Sequence, residues 1–109
     1  MNIKDINGKK IKKLMNAKSA SYRYHNKNNS GGNFGFEIRG VLGHDYEING
    51  SYDTMGNLHD LRFGFVYHTH RGCGLVTDSH ETLENFCAIL TTICRIDADR
   101  ELDFAGADA

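Results

Sequence analysis

Three histidines and a cysteine crowd into one stretch of this sequence, 61–80, LRFGFVYHTHRGCGLVTDSH. His68-Thr69-His70 sets two imidazoles two residues apart. On a strand such residues project from the same face, so both can reach one metal ion. Cys73 and His80 are near enough in sequence to supply another ligand, with Glu37 or His59 as candidates from outside the stretch. Nitrogen and sulfur donors of this kind suit zinc. The blander reading of the same residues is a polar row facing solvent. A third needs no metal: Glu37, Arg39, His68 and His70 on one sheet face could act as base, phosphate clamp and acid in RNA cleavage.

The elements that must position these groups are legible as patterns. From Leu61 the chain alternates, with Phe63, Phe65 and Tyr67 on one face and Val66, His68 and His70 on the other. The aromatic row is the expected core face. Upstream, 19–25 reads as a strand with Ala20, Tyr22 and Tyr24 inward and Arg23 and His25 outward. Residues 26–33, NKNNSGGN, read as a mobile loop, and without the spacing of a phosphate cradle. Residues 34–42 form a second strand and 46–52 a third, with Tyr46 and Ile48 inward, and 53–57, DTMGN, a turn. Short connections favour an antiparallel meander. If parity holds, the face opposite the aromatics displays Arg23, His25, Glu37, Arg39, Glu47, Asn49, Arg62, His68 and His70.

Helices bracket the strands. Residues 2–16 carry an apolar stripe of Ile3, Ile6, Ile11, Leu14 and Met15, with Asn7-Gly8 as an interruption and lysines opposite. Downstream, Leu83, Phe86, Cys87, Leu90, Ile93 and Cys94 recur at helical spacing. Asp78 and Glu81 suggest a capping box at the start of that helix. Its end is expected near 95–99, with 100–109 a loose acidic tail. Cys87 and Cys94 lie two turns apart, about 10 Å along the axis. That is too far for a disulfide, so they read as buried thiols.

Two short motifs partly resemble the signature of the JAMM/MPN zinc hydrolases. Glu37-Ile38-Arg39-Gly40 looks like its E-x-x-G element, and His68-Thr69-His70 like its paired-histidine run. The resemblance implies Glu37 as the acid/base and His68 and His70 as zinc ligands. Arg71 stands where that family has proline, and Thr77 and His80 only approximate its downstream Ser and Asp. The segment between Gly43 and His68 is short for that fold, and membership is not assigned.

Composition sets the frame. The 109 residues, 39% hydrophobic and 25% charged, suit one soluble domain, 1–109, with a single modest core. The net charge of −1 conceals a division. Residues 1–27 hold eight basic residues against Asp5 alone, and the remainder holds five basic against thirteen acidic. Either the basic segment packs beside the chain's own acidic end, or it docks an oppositely charged partner. No window suits a membrane span or a secretory leader. The cytoplasm, of a host or of an infected cell, is therefore the expected compartment.

These readings converge on an α+β fold: an N-terminal helix, a four-stranded antiparallel meander, and a C-terminal amphipathic helix packed on one sheet face. The expected role is a small non-enzymatic binding protein that acts on another protein, of inhibitor, immunity or phage-accessory type. Its contact surface would centre on Arg23, Arg39, His68 and His70, with Lys10 and Lys13 at the edge. Nucleic acid is a second partner class, through the basic segment, although no aromatic is expected on the polar face for bases to stack on. The enzyme alternatives are the zinc hydrolase on His68 and His70, with His80 or Cys73 completing the site, and the metal-independent ribonuclease. Metal analysis of the natively purified protein separates the first of these: a stoichiometric zinc would decide for the hydrolase, its absence for binding.

Overall fold

The computed structural model describes residues 1–65 and 82–107, with side chains described as far as Gly64 and over 82–99. The order is a short 3-10 turn (Ile3–Asp5), α1 (Gly8–Leu14), β1 (Ser19–Asn28), β2 (Gly31–Val41), β3 (His44–Tyr52), β4 (Leu58–Phe65) and α2 (Leu83–Ala107). The four strands form an antiparallel sheet in the order β1-β2-β3-β4, the expected meander.

The interruption at Asn7-Gly8 is a helix cap. The Asn7 side chain accepts from the Lys10 N–H at 3.1 Å, which satisfies one of the first-turn donors of α1. At the other end Asn16 takes the left-handed conformation (φ 52°) and the Ala17 N–H returns to the Lys12 carbonyl, closing the last turn.

The core face of the sheet is built by register. Phe36 pairs with Ile48 and Ile48 with Phe63, and all three side chains are buried. Tyr46 stacks on Phe63 with ring centroids 5.0 Å apart. Both helices cover this face. Gly8 of α1 approaches the Ala20 carbonyl and the Phe36 ring. Leu83, Phe86, Cys87, Leu90 and Cys94 of α2 join the strand residues in one buried cluster, and Ile93 packs against it. Of the expected core set, Phe36, Phe86 and Leu90 are buried. The Phe65 side chain and Tyr67 lie outside the described residues.

Three expectations need correction. Residues 26–33 are not a loop: β1 and β2 run through them and turn at Asn29-Ser30 alone. Polar composition misled, because a strand edge exposed to water can be written in asparagine and lysine. Asn26 even donates to Asn33 across the pair, at 3.0 Å. Tyr24 and His25 exchange faces, because the register slips between Tyr22 and Tyr24. Such a bulge sets one extra residue into a strand and reverses the parity beyond it. His25 therefore stacks on Tyr22 at 4.8 Å and meets the Tyr52 hydroxyl at 2.8 Å, on the core side. The C-terminal helix α2 begins at Leu83; the expected capping pair, Asp78 and Glu81, lies outside the described residues. Its cap is Thr82, whose hydroxyl accepts from the Asn85 N–H at 3.2 Å. That helix then continues for 25 residues to Ala107, past the expected end at 95–99.

Cys87 and Cys94 are free and buried, as their spacing implied. Burial pushes the Cys87 thiol up to about 11 and that of Cys94 to about 12. Both sulfurs therefore stay protonated and poorly nucleophilic at ordinary pH. Alkylation of the native protein at mildly alkaline pH should leave both unmodified until denaturant is added; rapid native labelling of either would contradict the packing of α2. Thr82→Ala should lower stability by about 1 kcal/mol, and Phe86→Ala by about 3–5 kcal/mol. Chemical denaturation measures both, and an unchanged midpoint for Phe86→Ala would displace α2 from the core.

Candidate functional site: the open sheet face

With α1 and α2 on one side, the other side of the sheet carries no described helix. Its side chains follow the register. One row across the sheet is Glu37, Glu47 and Gly64; the next is Gly35, Asn49 and Arg62. Beyond them stand Asn33 and Ser51, with His59 as the partner of Ser51 in β4.

Glu37 and Glu47 face each other directly across β2 and β3. Like charges so placed repel, and each is answered by its own arginine. Arg23 grips Glu47 with two bonds, Nε–H to Oε1 at 2.8 Å and Nη2–H to Oε2 at 3.0 Å. This bidentate geometry is the strongest a carboxylate can accept from a side chain. It lets Glu47 be fully buried, 0% exposed, on a face that parity alone marks as solvent-facing. The same bonds, with the charge of Glu47 behind them, raise the pKa of Arg23 above its usual value. Glu37 is bound by Arg39, which also approaches Asp45 at 3.9 Å.

The bulge that sent His25 to the core side brings Tyr24 onto this face. Its ring lies over Gly35 of β2: a Cβ at Gly35 would collide with Tyr24 Cε1 and with Glu47 Oε1. The hydroxyl reaches one strand further and donates to Asn49 Oδ1 at 3.1 Å. The Arg23 guanidinium carbon sits 5.6 Å from the ring centroid. Tyr24 is thereby fixed at both ends while 38% exposed. In β4, Asp60 takes a left-handed φ of 55° where the register slips again, opposite Gly50. Together these residues frame an open cleft of about 570 Å³ lined by Tyr24, Asn33, Asn49, Ser51, Asp60 and Arg62.

Sequence-predicted residues fall unevenly on this geometry. Arg23, Glu37 and Arg39 are brought together as expected, but as two closed ion pairs, so the Glu37 carboxylate is already engaged. Lys10 lies away from this face, paired with Glu84 of α2 at 2.8 Å, and that bond raises its pKa. Lys13 is exposed on α1. His68, His70, Cys73 and His80 lie outside the described residues. Among the described residues no three His, Cys, Asp or Glu side chains converge as metal ligands. No described helix is long and apolar enough to cross a membrane. Sequence reasoning missed Tyr24, whose only advance signal was a glycine at 35.

The sequence matches no family model, and neither a curated protein nor a solved structure is significantly similar to it.

Arg23→Ala should destabilise by about 1–3 kcal/mol, the cost of leaving a buried acceptor without its donors. Adding Glu47→Gln should recover part of that loss, because the uncompensated charge is gone. A denaturation midpoint unchanged in Arg23→Ala would show that the pair carries no structural weight.

Proposed function

We propose that this protein is a non-enzymatic binding module that seats its partner on the open sheet face. The observation that carries the reading is one-sidedness: both described helices serve one face, while the other presents fixed polar side chains that the core does not need. The Arg62 side chain makes no hydrogen bond or ion pair among the described residues, and this exposed residue lines the same cleft as the held ring of Tyr24. Arginine and tyrosine are the side chains most often found at the energetic centre of an interface. Their preorganisation by Asn49 and Gly35 reduces the ordering cost of association.

Another protein remains the partner class that the sequence favours, in the manner of an inhibitor, an immunity protein or a phage accessory protein. An interface needs a patch rather than a precise constellation, and the two closed ion pairs make a poor acid/base set but a rigid surface.

The test is capture from host extract by the immobilised protein, comparing the parent with Arg62→Ala. The variant should fold normally and bind the captured partner more weakly by about 2 kcal/mol or more. Equal capture would remove this face from consideration and make α1, with Lys9, Lys12 and Lys13, the next candidate.

A further inference from the structure

We propose that the cleft on the open sheet face binds a pyranose ring of a neutral oligosaccharide; this rests on the reading of that face as the ligand seat. The first ground is the posture of Tyr24. A tyrosine on an edge strand would ordinarily swing freely. Here the missing Cβ of Gly35 lets the ring lie across β2, and Asn49 holds its hydroxyl from β3. One ring edge meets Gly35, the Arg23 guanidinium carbon stands over the ring at 5.6 Å from its centroid, and 38% of the residue stays exposed. A flat, fixed aromatic face suits the apolar C–H face of a sugar ring, and a tyrosine tethered in this way loses little rotamer freedom on binding.

The second ground is the polar rim. Asn49 spends its carbonyl oxygen on Tyr24, which leaves its NH₂ group to donate. Asn33 spends its carbonyl oxygen on Asn26 in the same way. Ser51 adds a hydroxyl, Arg62 a guanidinium unpaired among the described residues, and Asp60 a carboxylate that it shares with His59 at 2.9 Å. Sugar hydroxyls donate and accept at once, so a ring of planar donors with one strong acceptor can satisfy several together. The hollow, about 570 Å³, is shallow and open, so a bound ring would keep one side in solvent.

Charge decides between ring-bearing ligands. Arg23 and Arg39 are neutralised by Glu47 and Glu37, and Arg62 shares its cleft with Asp60. A nucleic-acid strand needs a track of free cations and repeated stacking platforms. Tyr24 is the one tyrosine or phenylalanine on this face among the described residues. A neutral ligand with a single ring to stack matches what is present.

The experiment is an NMR titration of the full ¹⁵N-labelled chain with chitotriose, maltotriose and cellotriose. At least one should give saturable shifts on the amides of Gly35, Asn49, Ser51 and Arg62, with little dependence on salt. Tyr24→Ala should weaken that binding about tenfold or more, and Tyr24→Phe, which keeps the ring, should weaken it less. The spectrum of each variant reports its folding directly. Failure of all three sugars to saturate, shifts confined to other surfaces, or undiminished affinity in a folded Tyr24→Ala would overturn the proposal. So would oligo(dT) or oligo(rU) binding at these amides with steep salt dependence, which would assign the face to nucleic acid. Sugars that fail while Arg62→Ala still loses its captured partner would refute the ligand class and leave the binding face standing. Loss of both would refute the face itself.

Discussion

Glu47 is a carboxylate without solvent on the side of the sheet where solvent belongs. A buried charge is tolerable only with a partner of good geometry, and Arg23 is that partner. The requirement propagates outward. Arg23 reaches Glu47 across the intervening strand because the bulge in β1 turns it and Tyr24 onto the same face. Gly35 and Gly64 flank the carboxylate in β2 and β4 and offer no side chain to obstruct it. The direct opposition of Glu37 then obliges Arg39 to compensate the second charge. One buried acid thus ties together a bulge, two glycine positions and two ion pairs.

The other side of the sheet is governed by area rather than charge. Phe34, Phe36, Ile38, Tyr46, Ile48 and Phe63 present a continuous apolar surface that no single short helix could cover. α1 contributes Ile11 and Met15 at one part of it, and α2 contributes its stripe at another. Where the helices meet, Lys10 pairs with Glu84. The division of charge between the two ends of the sequence is thus partly spent inside the molecule. Both partners are largely exposed, so the pair orients the helices more than it stabilises them.

Much of the architecture was legible because it follows from periodicity. The stripe from Leu83 to Cys94 and the alternation through Phe36, Ile48 and Phe63 each name an element and a face without reference to anything distant. What escaped was set by single-residue events. A bulge changes no composition, yet it exchanged Tyr24 with His25 and so moved the one stacking ring onto the polar face. The asparagine-rich turn hid the adjoining ends of β1 and β2, because a hairpin needs only two residues at its tip and edge strands need no apolar alternation. Thr82 caps α2 for a reason absent from local sequence: the helix begins where Leu83 enters the core.

The exchange of Tyr24 also changes which arguments about partners are valid. Without an aromatic on the polar face, only a broad protein contact or a basic helix remained as a means of binding. With one, the face gains a defined centre, and the same interactions that stabilise Glu47 give that centre its rigidity. Arg23 serves both, closing on the carboxylate while lying beside the ring. Any substitution that releases Arg23 therefore loosens the setting of Tyr24 along with the sheet, so on the proposed reading stability and binding are coupled there. Arg62, on the far side of the cleft and bonded to nothing described, carries no such double duty. If the proposed reading of this face holds, it is the position at which recognition can be altered while the fold is left alone.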